Sequence, residues 1–272
     1  MTDTERADTW PSQVFGEVAE VYDAARPGYA DALVTEVLAH ADLGVGAALE
    51  IGAGTGKATV PFAAHGIRLT CVEPDPRMAE VLRRNTAAFP QVDVEVADFE
   101  AWESRGRRFG LLYAATCWHW IDPQRRWDLV HAALEPGGTL ALFWNPHGVI
   151  DADLHRELAE LDRRHGIASS PHGQLAAVFD GDPVGGANEP FWPEPECRRD
   201  GRFTDLRSHR FRQRVRYGSD RYLGLLASVS AYRTLPAEQR DQVLTDTARL
   251  LDAHGGGIDM LQVSDLFLAR RR

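Results

Sequence analysis

Residues 48–59 read Ala-Leu-Glu-Ile-Gly-Ala-Gly-Thr-Gly-Lys-Ala-Thr, and no other stretch limits the possible folds as tightly. An apolar run ends in Gly52, Gly54 and Gly56, the pattern of a buried strand turning sharply into a helix. Glycine lets the backbone swing through conformations closed to other residues. It also lets a ligand lie directly against backbone N–H groups. Glu50 sits just inside the turn, where its carboxylate can accept hydrogen bonds from a ligand or steady the loop. A second acid, Glu73, ends the next apolar run, Leu69-Thr-Cys-Val72. In a parallel sheet that position faces the ligand crevice, where an acid can take both hydroxyls of a ribose.

Strand-like and helix-like pieces alternate from residue 28 to about 165. The spacing predicts strands at 47–51, 68–73, 92–97, 109–115 and 139–144, with helices between them. Such alternation implies a doubly wound, parallel α/β sheet with helices on both faces. After Asn145-Pro146 the pattern changes to one charged helix over 153–165. Residues 166–206 are rich in Gly, Pro and Asp, with Phe179, Phe191, Trp192 and Phe203 among them, and read as a lid or cap folded on the core. The chain then returns as a strand (208–217), two helices (219–230 and 236–254) and a strand (257–270). Within 208–217, Arg210, Arg212, Arg214 and Arg216 alternate with Phe211, Gln213, Val215 and Tyr217, the pattern of a strand with one solvated face.

Composition excludes several classes. No apolar run approaches the ~18 residues of a membrane span. The opening Met-Thr-Asp-Thr-Glu-Arg-Ala-Asp is too polar for a secretory signal. Three scattered cysteines, Cys71, Cys117 and Cys197, suggest reduced thiols, so a cytoplasmic location is expected. The net charge of −10 argues against a broad nucleic-acid surface. His165, His172 and Cys197 are too scattered for a metal-ligand pattern, and no metal is expected.

Three nucleotide loops resemble the glycine cluster, and spacing separates them. A P-loop needs Gly, four residues, then Gly-Lys-Ser/Thr; here Ile51 stands at the first position and Ala58 at the last. A dinucleotide fingerprint needs Gly-x-Gly-x-x-Gly, and Lys57 stands where the third Gly belongs. The third pattern, acid-x-Gly-x-Gly-x-Gly with an acid ending the following strand, resembles the S-adenosylmethionine (SAM) site of class I methyltransferases. Four further segments carry the resemblance: Val96-Ala-Asp98-Phe99, Ala114-Ala-Thr-Cys-Trp-His-Trp120-Ile-Asp, Leu134-Glu-Pro-Gly-Gly138, and upstream Tyr22-Asp-x-x-Arg26-Pro-x-Tyr29 with Phe15 before it. The last and the His-Trp segment are similar to small-molecule methyltransferases related to trans-aconitate methyltransferase. The similarity spans residues 14–146.

The resemblance implies a Rossmann-like, mostly parallel seven-stranded sheet with an antiparallel terminal strand. It divides the chain into a SAM-binding core with N-terminal helices (1–146), a cap (147–207) and a C-terminal completion of the sheet (208–272). It gives Glu73 to the ribose hydroxyls, and Asp98 and Phe99 to adenine, with Pro74 and Met78 flanking the ring; Met78 reads equally as helix core. Arg26, helped by Tyr22, would pair with the methionine carboxylate, or is a surface arginine of a docking helix. Gly52 and the Ala115 carbonyl would hold the amine, with Thr116 beside them, and Glu50, Gly54 and Gly56 complete the loop. Trp118, Trp120 and Trp144 leave strand ends at the crevice, where they line an acceptor pocket or belong to the core. His119 is the candidate base, since a neutral imidazole can take a proton near neutral pH; its alternative is a structural histidine capping the loop to Asp122. His147 and Tyr22 follow as weaker candidates for the base.

The expected activity is SAM-dependent methyl transfer to a small molecule by in-line displacement, a reaction in which positioning supplies much of the acceleration. A cap that encloses substrate and excludes water favours a small acceptor. The competing readings are a nucleic-acid or protein methyltransferase, a nicotinamide-dependent oxidoreductase and a non-catalytic SAM-binding protein. The first lacks the Asn-Pro-Pro-aromatic segment of adenine enzymes and the proline that would precede Cys117 in cytosine enzymes. No membrane partner is expected, and the oligomeric state is open.

Overall fold

A computed structural model describes residues 19–44, 46–167, 169–175 and 193–272. Phe15, Phe179, Phe191 and Trp192 lie outside the described residues.

Strands covered by helices on both faces must be apolar throughout, and that is what residues 47–144 provide. β1 (Ala47–Ile51), β2 (Arg68–Glu73) and β4 (Phe109–Ala115) are buried along almost their whole length, as is the second half of β5 (Leu134–Trp144). β3 (Val92–Val96) is more exposed and forms one edge. These strands pair in parallel in the order β3-β2-β1-β4-β5. The chain therefore winds one way from β1 to β3 and the other way from β4 to β5. A crevice opens between β1 and β4 at their C-terminal ends, where the direction reverses.

The last strand, β8 (Gly257–Arg271), enters antiparallel beside β5 and places Asp265 opposite Trp144. β7 (Phe203–Gly218) pairs antiparallel along the other edge of β8, and Arg210, Arg212, Arg214 and Arg216 lie exposed along it, as the alternation predicts. The antiparallel strand is thus last in sequence but interior in the sheet. A short β6 (His147–Val149) also pairs with β8, which makes eight strands rather than seven. This additional strand lies inside the stretch read as a cap.

Two boundaries also move. β5 begins at Leu134, not 139, because Leu134 pairs with Phe109 before a register shift. β7 begins at Phe203, not 208, and a shift between Thr204 and Arg207 breaks its alternation; Asp205 there has φ +49°. A bulge of this kind removes the period of two on which strand recognition depends.

Helices cover the sheet on both sides. α2 (Asp31–Ala41) and α3 (Thr59–Ala64) bury Leu33, Val37 and Phe62 with Leu111, Tyr113 and Phe143 of the sheet. On the opposite face α5 (Arg126–Ala133) and α7 (Glu194–Asp200) bury Trp127, Val130 and Cys197 with Leu112, Leu142 and Phe267. α4 (Pro76–Asn85) starts on a proline, and the Asp75 carboxylate accepts from the Arg77 N–H at 2.8 Å to cap it. α6 (Ala152–His165), α8 (Ser219–Ala227), α9 (Ser230–Arg233) and α10 (Ala237–Ala253) form a third apolar cluster around Leu158, Leu225, Tyr232 and Leu251.

α1 (Ala19–Ala25) packs on α8 beside the crevice. The segment 169–175 is fastened by a buried polar group. His172 bridges the Asp162 carboxylate (2.8 Å) and the Tyr222 hydroxyl (2.7 Å), and the Ser170 hydroxyl donates to Asp162 at 2.6 Å. No helix among the described residues is long and apolar enough to cross a membrane.

Candidate active site at the strand ends

The C-terminal ends of β1 to β5 surround one cavity of about 890 Å³. That volume is at the upper end of the range for small-molecule sites, roughly 300–1,000 Å³.

Gly52 begins the loop that leaves β1. Its φ of +62° lies in the left-handed region, and an added Cβ would stand 2.7 Å from Cys117 Cβ and Sγ. Only glycine satisfies both conditions. Its N–H donates to the Val72 carbonyl at 2.8 Å, which ties the loop to β2. Gly56 (φ +93°) is not on the cavity wall; a Cβ there would meet Leu82 of α4 at 2.8 Å, so it closes the turn against that helix.

Glu73 ends β2 on the cavity wall. Its Oε2 accepts from the Gly54 N–H at 2.8 Å and its Oε1 from the Asp75 N–H at 2.9 Å. Burial pushes its pKa up to about 7, against the pull of those two N–H groups. An ionised carboxylate has about four acceptor positions, so two remain for a ligand. Glu50 departs from one of its two expected roles. It is not on the cavity wall; its Oε2 accepts from Thr59 Oγ1 (2.6 Å) and Tyr113 Oη (2.9 Å) behind the loop. Burial raises its pKa to about 7 as well. Glu50 Oε2 steadies the loop from the core side.

Asp98 and Phe99 reach the same cavity from the exit of β3, Pro74 from the exit of β2 and Met78 from α4. Met78 is also 4 % exposed and packed with Ala19 and Val81, so it serves core and wall together. Arg26 lines the cavity with its guanidinium 4.9 Å above the Tyr22 ring. It donates to the hydroxyl and carbonyl of Ser228 at 3.1 and 3.3 Å. Ala115 and Thr116 leave β4 into the cavity. Thr116 has φ +61°, an uncommon conformation for a β-branched residue and one that costs of order 1–3 kcal/mol. Its N–H donates to the Phe143 carbonyl at 2.8 Å, and its hydroxyl shares a 2.9 Å hydrogen bond with Tyr29.

The tryptophans separate. Trp120, which is 40 % exposed, and Trp144 line the cavity. Trp118 does not: it is fully buried, edge-on to Trp127 at 5.1 Å and beneath the Arg126 guanidinium at 5.1 Å. The short 3-10 turn Trp118–Trp120 sends one indole to the core and the other to the crevice.

His119 lies on the wall with its ring 4.8 Å from that of Trp120. No hydrogen bond to its imidazole occurs among the described residues, and desolvation alone lowers its pKa from the ordinary value. The capping alternative loses its partner: the Asp122 N–H donates to Glu100 Oε1 and Asp122 Oδ1 accepts from the Gln124 N–H. His147 is a buried wall residue whose pKa desolvation lowers to about 4.

Sequence reasoning missed the far wall, which Ser169, Pro171, Gln174, Leu225, Val229 and Asp265 supply. Their local patterns are those of ordinary loop, helix and strand; the β5–β8 register and the His172 anchor bring them there. Tyr29 was visible only as part of the Arg26-Pro-x-Tyr29 motif.

Two stability predictions follow from this geometry. A left-handed non-glycine residue costs of order 1–3 kcal/mol and overpacking adds a similar amount. Gly52→Ala is therefore expected to lose about 2–6 kcal/mol in chemical denaturation. Cys117→Ala, which keeps the offending Cβ, should not restore it, and an unchanged midpoint would refute the close-approach account.

The second concerns pH. Glu50 holds its proton more tightly in the folded chain (about 7) than unfolded (4.5). The associated stability is present at low pH and lost as pH rises through about 7. Glu50→Gln removes the titration. It should gain on the parent protein by about 1–3 kcal/mol between about pH 5 and about pH 8. A parent–variant difference that stays constant across that range would contradict the raised carboxyl.

The chain is similar to known methyltransferases. A family model described as a methyltransferase domain matches residues 48–138. An uncharacterised methyltransferase of Mycobacterium tuberculosis is 31 % identical over 242 residues, covering 88 % of this chain and 86 % of the relative. An uncharacterised methyltransferase of Schizosaccharomyces pombe is 26 % identical over 226 residues, covering 82 % and 80 %. Among solved structures, a candidate type II methyltransferase from Anaeromyxobacter dehalogenans shares the fold with a TM-score of 0.60 at 20 % identity, over 90 % of this chain and 97 % of that one. A phosphoethanolamine N-methyltransferase of Haemonchus contortus, solved with phosphomonomethylethanolamine and S-adenosylhomocysteine, aligns with a TM-score of 0.50 at 14 % identity, over 98 % and 58 %. The full-length similarity to the mycobacterial relative, with the domain match over the glycine loop and the strand ends, establishes that the chain belongs to the class I SAM-dependent methyltransferases.

Proposed function

We propose that the cavity binds SAM along the ends of β1 to β4 and transfers its methyl group to a small-molecule acceptor held against the far wall. The observation that carries this reading is convergence: Gly52, Glu73, Asp98 and Thr116 come from four successive strand ends and line one cavity with His119.

SAM, when bound, supplies a methyl carbon made electrophilic by a positively charged sulfur. Everything else falls to the chain. The two free acceptor positions of Glu73 suit a ribose diol, with charge-assisted hydrogen bonds in a desolvated place. Asp98 and Phe99 stand where the adenine edge would be read, between Pro74 and Met78. Arg26 offers a fixed cation for the methionine carboxylate, while Gly52 and the Ala115 carbonyl serve its amine. On this reading β6 and the 169–175 segment form the acceptor side together with Trp120 and Trp144. His119, neutral near physiological pH because desolvation disfavours its charged form, takes the acceptor proton.

Replacement of Glu73 by Ala should weaken SAM binding by roughly 1.5–3 kcal/mol, the scale of a hydrogen bond to a charged group. Unchanged affinity in calorimetry would remove the ribose assignment. His119→Ala should slow turnover by roughly 10²-fold or more at saturating substrate. In the parent enzyme the rate should rise with pH through a value below 6.5 and then level. A loss under about tenfold, or a pH profile identical in the variant, would return His119 to a structural role.

A further inference from the structure

The segment Trp118-His119-Trp120 at the exit of β4 divides its side chains between core and crevice. A single 3-10 turn has poor hydrogen-bond geometry and does not hold such a division by itself. Here the Trp120 N–H donates to the Cys117 carbonyl at 2.9 Å, and the Ile121 N–H to the Trp118 carbonyl at a long 3.4 Å. The stronger grip comes from beneath. The Arg126 guanidinium lies 5.1 Å from the centroid of the buried Trp118 ring, and its Nη1 donates to the Trp118 carbonyl at 3.4 Å. One side chain thus holds both the indole and the backbone of the turn. Arg126 opens α5 and is only 3 % exposed. A cation so far from water needs a counter-charge. Glu196 brings it from α7, where its Oε2 accepts from Arg126 Nη2 and from Trp127 Nε1, the latter at 3.3 Å.

We propose that Arg126 and Glu196 are positioning residues of the site: their buried ion pair clamps Trp118 and so keeps the His119 imidazole and the Trp120 indole at the crevice. The inference rests on the methyltransferase reading above and deepens it, because it makes α7 part of the machinery that presents the proposed base. Each link is a contact. Glu196 holds Arg126, Arg126 holds Trp118, and Trp118 precedes His119, whose ring lies 4.8 Å from that of Trp120. Without Glu196 the cation would be buried and unmatched beneath the turn, a strongly unfavourable state. The guanidinium would then turn toward water and release the indole. Lysine at position 126 would keep the ion pair. Its ammonium is a compact charge, without the flat face and fork that reach indole, carbonyl and carboxylate together. A plain staple between α5 and α7 would need the ion pair alone, which lysine retains.

The test needs no acceptor. The ring signals of His119, assigned by their loss in His119→Asn, are followed with pH by NMR in the full-length protein saturated with S-adenosylhomocysteine. The parent and Arg126→Lys are compared. Both charges remain in that variant, so a moved titration reports changed solvation of the imidazole. His119 should titrate below 6.5 in the parent and closer to 6.5 in Arg126→Lys. The Trp120 indole N–H signal should move in Arg126→Lys and in Glu196→Gln. Folded variants that keep the parent's His119 titration and Trp120 signal would overturn the proposal. Should the variants not fold, hydrogen exchange in the parent decides. The Trp120 N–H, bonded to Cys117, and the Cys197 N–H of α7, bonded to the Pro193 carbonyl at 3.1 Å, should open together. Protection of the two that differs by more than about tenfold would overturn the proposal. S-adenosylhomocysteine that fails to bind the parent would instead overturn the cofactor reading beneath it, and turnover of His119→Ala tests the base separately.

Discussion

One buried carboxylate joins the two crossovers on which the site is built. Glu73 accepts the Gly54 N–H from the loop after β1 and the Asp75 N–H from the loop after β2. Desolvation works against its charge, and these two donors offset part of that penalty. The arrangement depends in turn on Gly52, whose left-handed turn lets β1 pass within contact of Cys117. A displaced loop would separate the carboxylate from its donors. The same loop backs onto Glu50, held by Thr59 and Tyr113 from the core side. Two carboxylates on opposite sides of one glycine turn thus do different work, one structural and one facing the cavity.

The parts of this fold legible in the sequence are those whose burial is set locally. β1, β2 and β4 are apolar runs with clear stops, and their expected and observed limits coincide. What escaped depends on distant partners. β6 is three residues long and exists because β8 passes beside it. The start of β7 is hidden by the shift near Asp205, and the far wall assembles only through the β5–β8 register and the His172 anchor. The site shows the same division. Gly52, Glu73 and Asp98 could be placed by their positions at strand ends. The direction of Glu50 could not, because Thr59 and Tyr113 decide it, nor could the opposite fates of Trp118 and Trp120 in a turn three residues long.

The cavity wall is drawn from two parts of the chain. One part of its wall, Ile51 to Arg125, lies in the segment matched by the methyltransferase-domain model, residues 48–138. Its other side comes from the β5 exit, residues 169–175, α8 and β8, with Arg26 and Tyr29 tying the N-terminal segment across the opening. Here Asp265 of that side is paired with Arg210, while Thr116, strained and bonded to Tyr29, stands where the two parts meet.

The central claim is that the strand-end cavity holds SAM with its ribose on Glu73. The most direct measurement is a crystal structure of the protein with S-adenosylhomocysteine. The account predicts both ribose hydroxyls within hydrogen-bond reach of the Glu73 carboxylate, and the adenine against Phe99 with its amino group toward Asp98. A ligand bound elsewhere on the chain, or bound in this cavity with its ribose away from Glu73, would contradict it.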